Sequence, residues 1–219
     1  MARHLHRELD KIKKRILSLG ALVEERVHLT SDAIHSRDAA IADKIIGSDW
    51  EIDEMEVEVE EECLKILALY QPVAVDLRFL IATIKINNDL ERIGDEAVNI
   101  SERVVTMSKR PDPGFVFDYT LMAERAQSML KMSLDALVNL DVDLAYKVIT
   151  LDDGVDAIQK EAYDQIKEAI KQKPDRVGYL VNLLLISRHL ERLADHSTNI
   201  AEEVIYLIEG EIIRHGKYE

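Results

Sequence analysis

Apolar residues recur at helical spacing along almost the whole 219-residue chain. Ile45, Ile52 and Val59 lie seven residues apart, and a three-four spacing of apolar positions runs through 90–104. Such stripes are the buried seams of antiparallel helical bundles. The chain has only 8 Gly, 4 Pro and 5% aromatic residues, which favours long helices over strands. We therefore predict an all-α protein with a core formed by these stripes.

Few segments interrupt the helical pattern. Pro72 and Pro174 stand where a new helix can begin. The segments 36–38 and 140–143 carry weaker signals for a helix start or break, and Lys109–Gly114 is the strongest linker signal. These breaks predict six helices, at 4–36, 38–70, 73–108, 116–140, 142–171 and 175–209.

The two halves of the chain resemble each other. A shift of 103 residues aligns 32–53 with 135–156 at 8 of 22 identical positions. A shift of 100 residues aligns 88–104 with 188–204 at 8 of 17 identical positions. The halves are therefore interpreted as an internal duplication. The sequence predicts two tandem antiparallel three-helix bundles, at 1–110 and 115–219, joined by a linker at 111–114.

The charge balance limits the classes of partner. The chain has 28 Lys and Arg against 42 Asp and Glu, a net charge of −14 at pH 7. Nucleic acid would be repelled, whereas metal cations or a basic protein patch fit such a surface. Cys63 is the single cysteine, which fits a reducing compartment. We expect a cytoplasmic protein without membrane insertion, because the most apolar stretch, 177–186, is half a membrane span.

Paired carboxylates occupy mirrored positions around the predicted turns. Acids at i and i+4 lie on one face of a helix. Asp53 and Glu91 each lie 19 residues from Pro72, and the second half repeats this symmetry about 173–174. Each half should therefore collect four carboxylates about 28 Å from its turn. The two quartets are Asp49, Asp53, Glu91 and Asp95 in the first half, and Asp152, Asp156, Glu191 and Asp195 in the second.

Four carboxylates in one patch repel each other, and a bound cation relieves that repulsion. All-oxygen ligands suit hard or borderline cations, so we predict Mg, Mn, Ca, Fe or Zn ions, in sites that can hold more than one metal. The quartets lie beside the apolar seams and should line surface grooves. Further ligands or supporting residues are predicted at Asn99, Asn199, Glu102, Glu202, Arg92, Arg192 and His196.

Three alternatives stay open at the level of the residues. Arg92 and Arg192 can neutralise the quartets without a metal, leaving a salt-bridged acidic face. A carboxylate-bound metal can also belong to an enzyme of the phosphatase or oxidase type, although no nucleophile–base pair stands out. A metal-free bundle that only binds protein is the third. The halves also differ, because Asp89 and Glu96 become His189 and His196.

Three motifs carry a resemblance to a known family. The helix NDLERIGDEAVNISE (88–102) is repeated as RHLERLADHSTNIAE (188–202), and each follows a helix with Asp-x-x-x-Asp. Tyr70–Arg78, at the first predicted turn, has the pattern Y-x-P-V-A-x-D-L-R. With these motifs the chain resembles the PhoU family, the phosphate-uptake regulators of bacteria and archaea, over essentially its full length.

The resemblance implies a function that cannot be inferred from composition and residue spacing. It implies a cytoplasmic, non-enzymatic negative regulator of phosphate uptake and the phosphate-starvation response. The implied partners are the ATPase subunit of the phosphate ABC transporter and a phosphate-sensing histidine kinase, and the implied assembly is a homodimer. Some members of the family carry multinuclear metal clusters on the positions that match the two quartets.

Overall fold

Seven α-helices make up most of the computed structural model, which describes residues 2–110, 114 and 117–213. A short 3₁₀ helix at Pro174–Arg176 precedes the last of them. No described residue lies in a strand, so the all-α prediction is confirmed. Within the same residues, no helix is long and apolar enough to cross a membrane. The helices are α1 Ala2–Ser36, α2 Ala39–Gly47, α3 Trp50–Tyr70, α4 Ala74–Ser108, α5 Thr120–Asn139, α6 Val142–Gln172 and α7 Val177–Glu209.

The prediction of one helix over 38–70 is wrong. The helix is broken after Gly47 into α2 and α3, and the break leaves Asp49 at the N-terminus of α3. Glycine is a weak helix former, and the amide of Ser48 bonds to the carbonyl of Ile45 instead of continuing the α-helical pattern. The repeat-equivalent residue in the second half is Thr150, and α6 passes through it without interruption.

The buried side chain of Arg26, on α1, contacts residues on both sides of this break. Its guanidinium donates to the Ile45 carbonyl at 3.2 Å and to the Ser48 hydroxyl, and it reaches Glu51 Oε2 at 3.1 Å. These donors satisfy backbone and hydroxyl oxygens that the interrupted helix leaves available. The position of Asp49, the first member of the first quartet, therefore depends on an arginine in another helix.

Replacing Arg26 with methionine is expected to lower the free energy of unfolding by about 2 kcal/mol, because buried acceptors at the break lose a charged donor. Urea denaturation followed by circular dichroism measures the change. Arg15→Met is the matched control, since Arg15 also joins α1 to α3 but through an exposed pair with Glu58 at 2.7 Å. The control should cost less than about 0.5 kcal/mol. Equal losses in both variants would contradict the role of Arg26.

The other helix limits follow the capping signals. Asp38 Oδ1 accepts a hydrogen bond from the Ala40 amide at 2.7 Å, and Asp141 does the same for Leu144 at 2.9 Å. The helix predicted at 116–140 is α5, which begins at Thr120. The carboxylate of Asp118 accepts a hydrogen bond from the Thr120 amide at 2.9 Å. Positions 111–113 of the predicted linker lie outside the described residues, and the boundaries of the two bundles remain predictions.

The two halves share one core. The most extensive helix–helix contact joins α4 of the first half to α7 of the second, and both helices bury the apolar side of their repeated motif. Leu90 and Ile93 are fully buried on α4, and Leu190 and Leu193 are equally enclosed on α7. The duplicated halves therefore pack through equivalent helices, and the sides of these helices carry the quartet residues Glu91, Asp95, Glu191 and Asp195.

Candidate metal centres on two carboxylate clusters

The first quartet forms where the start of α3 meets the middle of α4. Asp49 and Glu91 are half-buried, and burial is the largest cause that raises the pKa of each carboxyl. Repulsion adds to it: Asp53 and Asp95 raise the pKa of Asp49, and Asp95 and Asp53 raise that of Glu91. The pKa of Asp95 is also raised, by burial and by Asp53 among other acids. Acids of the two helices therefore act on one another, as the mirrored spacing requires.

The second quartet shows the same coupling more strongly. Burial, followed by repulsion from Asp195 and Asp156, raises the pKa of Asp152 to about 6. Burial, followed by repulsion from Glu191 and Asp156, raises the pKa of Asp195 to about 6. Glu191 is shifted in the same direction, again by burial first and then by Asp156 and Asp152. All four carboxyl groups of this half therefore interact across α6 and α7.

Each quartet contains an oxygen atom without a hydrogen-bond partner. These atoms are Oε2 of Glu91 and Oδ1 of Asp152, and both are buried. The nearest cation to the first is Arg92, whose Nε lies 3.5 Å from Glu91 Oε2 and whose Nη1 lies 3.6 Å from Asp95 Oδ2. A buried carboxylate oxygen without a partner is costly, so both positions favour an added cation.

The carboxylates are neighbours but do not converge on one point. Among the described residues, no three His, Cys, Asp or Glu side chains are arranged as a ready-made metal site. Ionised carboxylates in one patch repel each other. The donor set is nonetheless all-oxygen and suits Mg²⁺, Ca²⁺, Mn²⁺ or iron. The residues present therefore fit a hard cation in donor type and charge.

Of the supporting residues predicted in the first half, one contacts the first quartet. Arg92 lies beside Glu91 and Asp95, as described above. Asn99 is half-buried one turn beyond Asp95. Glu102 is exposed and accepts a hydrogen bond from Arg103 at 2.7 Å. Of these residues, Arg92 is the one in contact with the quartet, as the ion-pair partner of Glu91 and Asp95.

The equivalent residues of the second half reach across to α4. Arg192 Nη1 lies 2.9 Å from Glu96 Oε1, and His196 Nδ1 lies 2.8 Å from Asp89 Oδ1. Asn199 donates to the same Asp89 oxygen at 3.1 Å. These three side chains also line a cavity of about 420 Å³ together with Asp152, Thr198 and Asp195. They stand at the edge of the second quartet and tie it to the first half.

The paired substitutions between the halves have a structural role that the sequence analysis missed. Glu96, which is 2% exposed, binds His189 Nδ1 through Oε2 at 2.6 Å, and Asp89 binds His196. The acids lie seven residues apart on α4, and the histidines lie seven residues apart on α7. This equal spacing was the available signal. It predicts two reciprocal acid–histidine pairs across an antiparallel helix crossing.

Glu202, the remaining predicted residue, lines a different groove. This groove, of about 490 Å³, lies between α3, α4 and α7 and is also lined by Glu56 and Glu60. Lys85 crosses the interface there, with Nζ 3.1 Å from Oε1 of the buried Glu203. Glu202 thus lies beside the contact between the halves rather than beside the second quartet.

Known proteins match both the sequence and the fold. The PhoU domain profile matches residues 16–104 and 119–204, one match in each half. The PhoU homologue of Aquifex aeolicus, named a phosphate-specific transport system accessory protein, is 36% identical over 211 residues, covering 96% of each chain. That of Clostridium acetobutylicum, which has the same name, is 34% identical over 204 residues, covering 93% of each chain.

Solved structures give the same answer. The crystal structure of PhoU from Pseudomonas aeruginosa superposes with a TM-score of 0.91 at 34% identity, covering 94% of this chain and 99% of that one. The phosphate transport system regulatory protein PhoU from Streptococcus pneumoniae superposes at 0.83 with 30% identity, covering 95% of this chain and 98% of that one. The two matched domains and the all-α duplicated fold agree with the sequence similarity, which extends over nearly the full length of the chain. The chain belongs to the PhoU family.

Proposed function

We propose that this protein is a cytoplasmic negative regulator of phosphate uptake that works as a metal-binding adaptor. The relatives named above are accessory proteins of phosphate-specific transport, and the family match extends over both halves. The observation that carries the metal part is the pair of carboxylate clusters with raised pKa values, each with a buried oxygen that lacks a hydrogen-bond partner. A chain without a binding task would gain stability by replacing those acids.

The metal ligands would come from the two quartets named above, one in each half. A bound divalent ion would supply positive charge between the carboxylates of neighbouring helices. In the first half it would join α3 to α4, with Arg92 at the rim. In the second half it would join α6 to α7, beside the α7 side chains that contact α4. Metal occupancy would in this way stiffen the second half and its contact with the first.

The proposed partners are the ATPase subunit of the phosphate ABC transporter and a phosphate-sensing histidine kinase. A surface with a net charge of −14 associates most readily with basic patches on other proteins. Neutralising the quartets with metal would change that surface at two places and alter docking. This is an adaptor function rather than an enzymatic one, and the expected homodimer remains a prediction.

The metal proposal is tested by elemental analysis of untagged protein that has been stripped with a chelator and reloaded with Mg²⁺, Mn²⁺ or Fe²⁺. We expect bound metal at both quartets, because each offers unpartnered carboxylate oxygen. Changing Asp49, Asp53, Glu91 and Asp95 to their amides should remove roughly half of it, and the corresponding four changes in the second half should remove the rest.

A matched control separates site loss from charge loss. Glu58→Gln with Glu62→Gln removes acids from α3 on the side that packs towards α1, and it should leave the metal content unchanged. Metal lost equally in the control would point to nonspecific binding by an acidic surface. Parent protein without metal after reloading would contradict the proposal and leave a metal-free adaptor that works by shape and charge.

A further inference from the structure

The outer face of α3 carries three large apolar side chains in a row. Trp50, Val57 and Leu64 are 60%, 50% and 52% exposed and lie seven residues apart. Seven residues are almost two turns of a helix, so the three side chains form one stripe, called here the α3 stripe. A contiguous run of exposed apolar side chains on a helix indicates a contact surface more often than scattered single residues do.

The stripe is not an extension of the core. The side of α3 that packs inward carries Ile52, Val59, Cys63 and Ile66, each at most 2% exposed. The stripe points in nearly the opposite direction on the helix, because Trp50, Val57 and Leu64 are about 120–160° away from that side at 100° per residue. The described residues of the chain therefore leave the stripe open to another molecule.

The second half provides an internal comparison. The residues of α6 that correspond to the stripe are Asp153, Lys160 and Lys167, and all three are exposed. The correspondence holds along the helix, because Ala162 and Ile166 are buried as their counterparts on α3 are. The same position in the same duplicated fold is thus charged in one half and apolar in the other. A solvated face needs no apolar stripe, as α6 demonstrates.

Acidic residues flank the stripe on both sides. Asp53 and Glu60 follow one edge, and Glu54 and Glu61 follow the other, and all four are exposed. A full coiled-coil seam alternates apolar residues at three- and four-residue spacing, whereas the α3 stripe has one apolar residue per heptad with acids at the places between. Charges beside the apolar positions of a helix select the partner and its orientation. All four flanking residues are acidic, and three of them, Glu54, Glu60 and Glu61, stay outside the first quartet and keep their charge when that quartet holds a metal. The flanks therefore favour a partner helix with positive charges beside its own apolar seam.

We propose that the α3 stripe is the docking site for an amphipathic helix of another protein, with apolar residues at heptad spacing and Lys or Arg on both flanks. This inference rests on the adaptor function proposed above and specifies the chemistry of one partner. A second copy of this chain is disfavoured on the stripe, because the four acids would face four identical acids. The distance from Trp50 to Leu64 is about 21 Å, which a partner segment of roughly 15–20 residues covers.

Trp50 makes the test direct, because it is the only tryptophan in the chain. The probe is a synthetic amphipathic peptide of about three heptads, with leucine in the seam and lysine on the flanks. A second peptide of equal length has glutamate in place of lysine. Titrated into the full-length protein, the lysine peptide should shift Trp50 emission to shorter wavelength and bind more weakly as salt rises. The glutamate peptide should give no shift.

Variants then assign the binding to the stripe. Val57→Ser with Leu64→Ser should weaken lysine-peptide binding at least tenfold, measured by calorimetry, and should fold normally because both side chains are exposed. Lys160→Ser with Lys167→Ser, at the equivalent positions on α6, is the control and should keep the parent affinity.

Several results would overturn the inference. Absence of binding by the lysine peptide, equal binding of both peptides, or an unchanged affinity in the Val57/Leu64 variant would each do so. Sedimentation of the peptide-free protein as a dimer that this variant dissociates would replace the partner helix with a second copy. Metal content, measured in parallel, separates the two proposals. If the protein binds the lysine peptide but takes up no metal after reloading, only the metal-binding proposal is contradicted. If it takes up metal but does not bind the lysine peptide, only the docking surface is contradicted.

Discussion

Replacing Glu96 with alanine is expected to lower the free energy of unfolding by about 3 kcal/mol, because it removes the buried anion at the contact between the halves. The Glu96 carboxylate is 2% exposed and lies 2.6 Å from His189 Nδ1 and 2.9 Å from Arg192 Nη1. His189 is itself mostly buried and would lose its partner. Hydrogen bonds to charged groups in buried positions are among the most costly to delete.

Urea denaturation of the two proteins at one pH measures the loss. The matched control is Glu102→Ala, on the same helix, whose exposed carboxylate bonds only to its neighbour Arg103 among the contacts described above. The control should change the free energy of unfolding by less than about 0.5 kcal/mol. If both variants lose a similar amount, Glu96 does not hold the halves together.

Changing Asp152 and Asp195 to asparagine is expected to stabilise the metal-free protein at pH 7.5 and to leave its stability at pH 4 nearly unchanged. The pKa of each carboxyl rises from an ordinary value of 3.8 to about 6 on folding. The folded protein therefore holds these protons more tightly than the unfolded chain does. Their favourable contribution is complete below about pH 4 and is lost as the pH rises through about 6.

The size of this effect is reduced by solvent. A shift of about two pKa units corresponds to roughly 3 kcal/mol for one fully enclosed group. Asp195 lies in the lining of an open cavity, and screening there reduces the gain to roughly 1 kcal/mol per residue. Chelator-treated parent and variant are compared by urea denaturation at both pH values. A difference between the two proteins that stays constant from pH 4 to pH 7.5 would contradict the cause assigned here.

The fold and the pairing of the quartets could be predicted from the sequence because both depend on short-range periodicity. Apolar spacing fixes which side of each helix is buried, and Pro72 marks the first turn. Residues equidistant from that turn must then meet on neighbouring helices, as the effect of Asp53 on the pKa of Glu91 shows. Metal binding at the quartets remains a prediction.

Two features could not be derived from periodicity. The break between α2 and α3 depends on Arg26, which lies in α1. The local sequence around the break does not show that this side chain contacts it. The packing of α4 on α7 joins positions about one hundred residues apart, and no turn fixes their register. The exchange of Asp89 and Glu96 for histidines was visible, but its meaning required knowing that these two helices touch.

That exchange also makes the two halves complementary where α4 crosses α7. In the present chain, two first halves would set the Asp89 and Glu96 carboxylates against each other, and two second halves would set histidine against histidine. At this crossing each half is therefore the electrostatic complement of the other half rather than of a copy of itself.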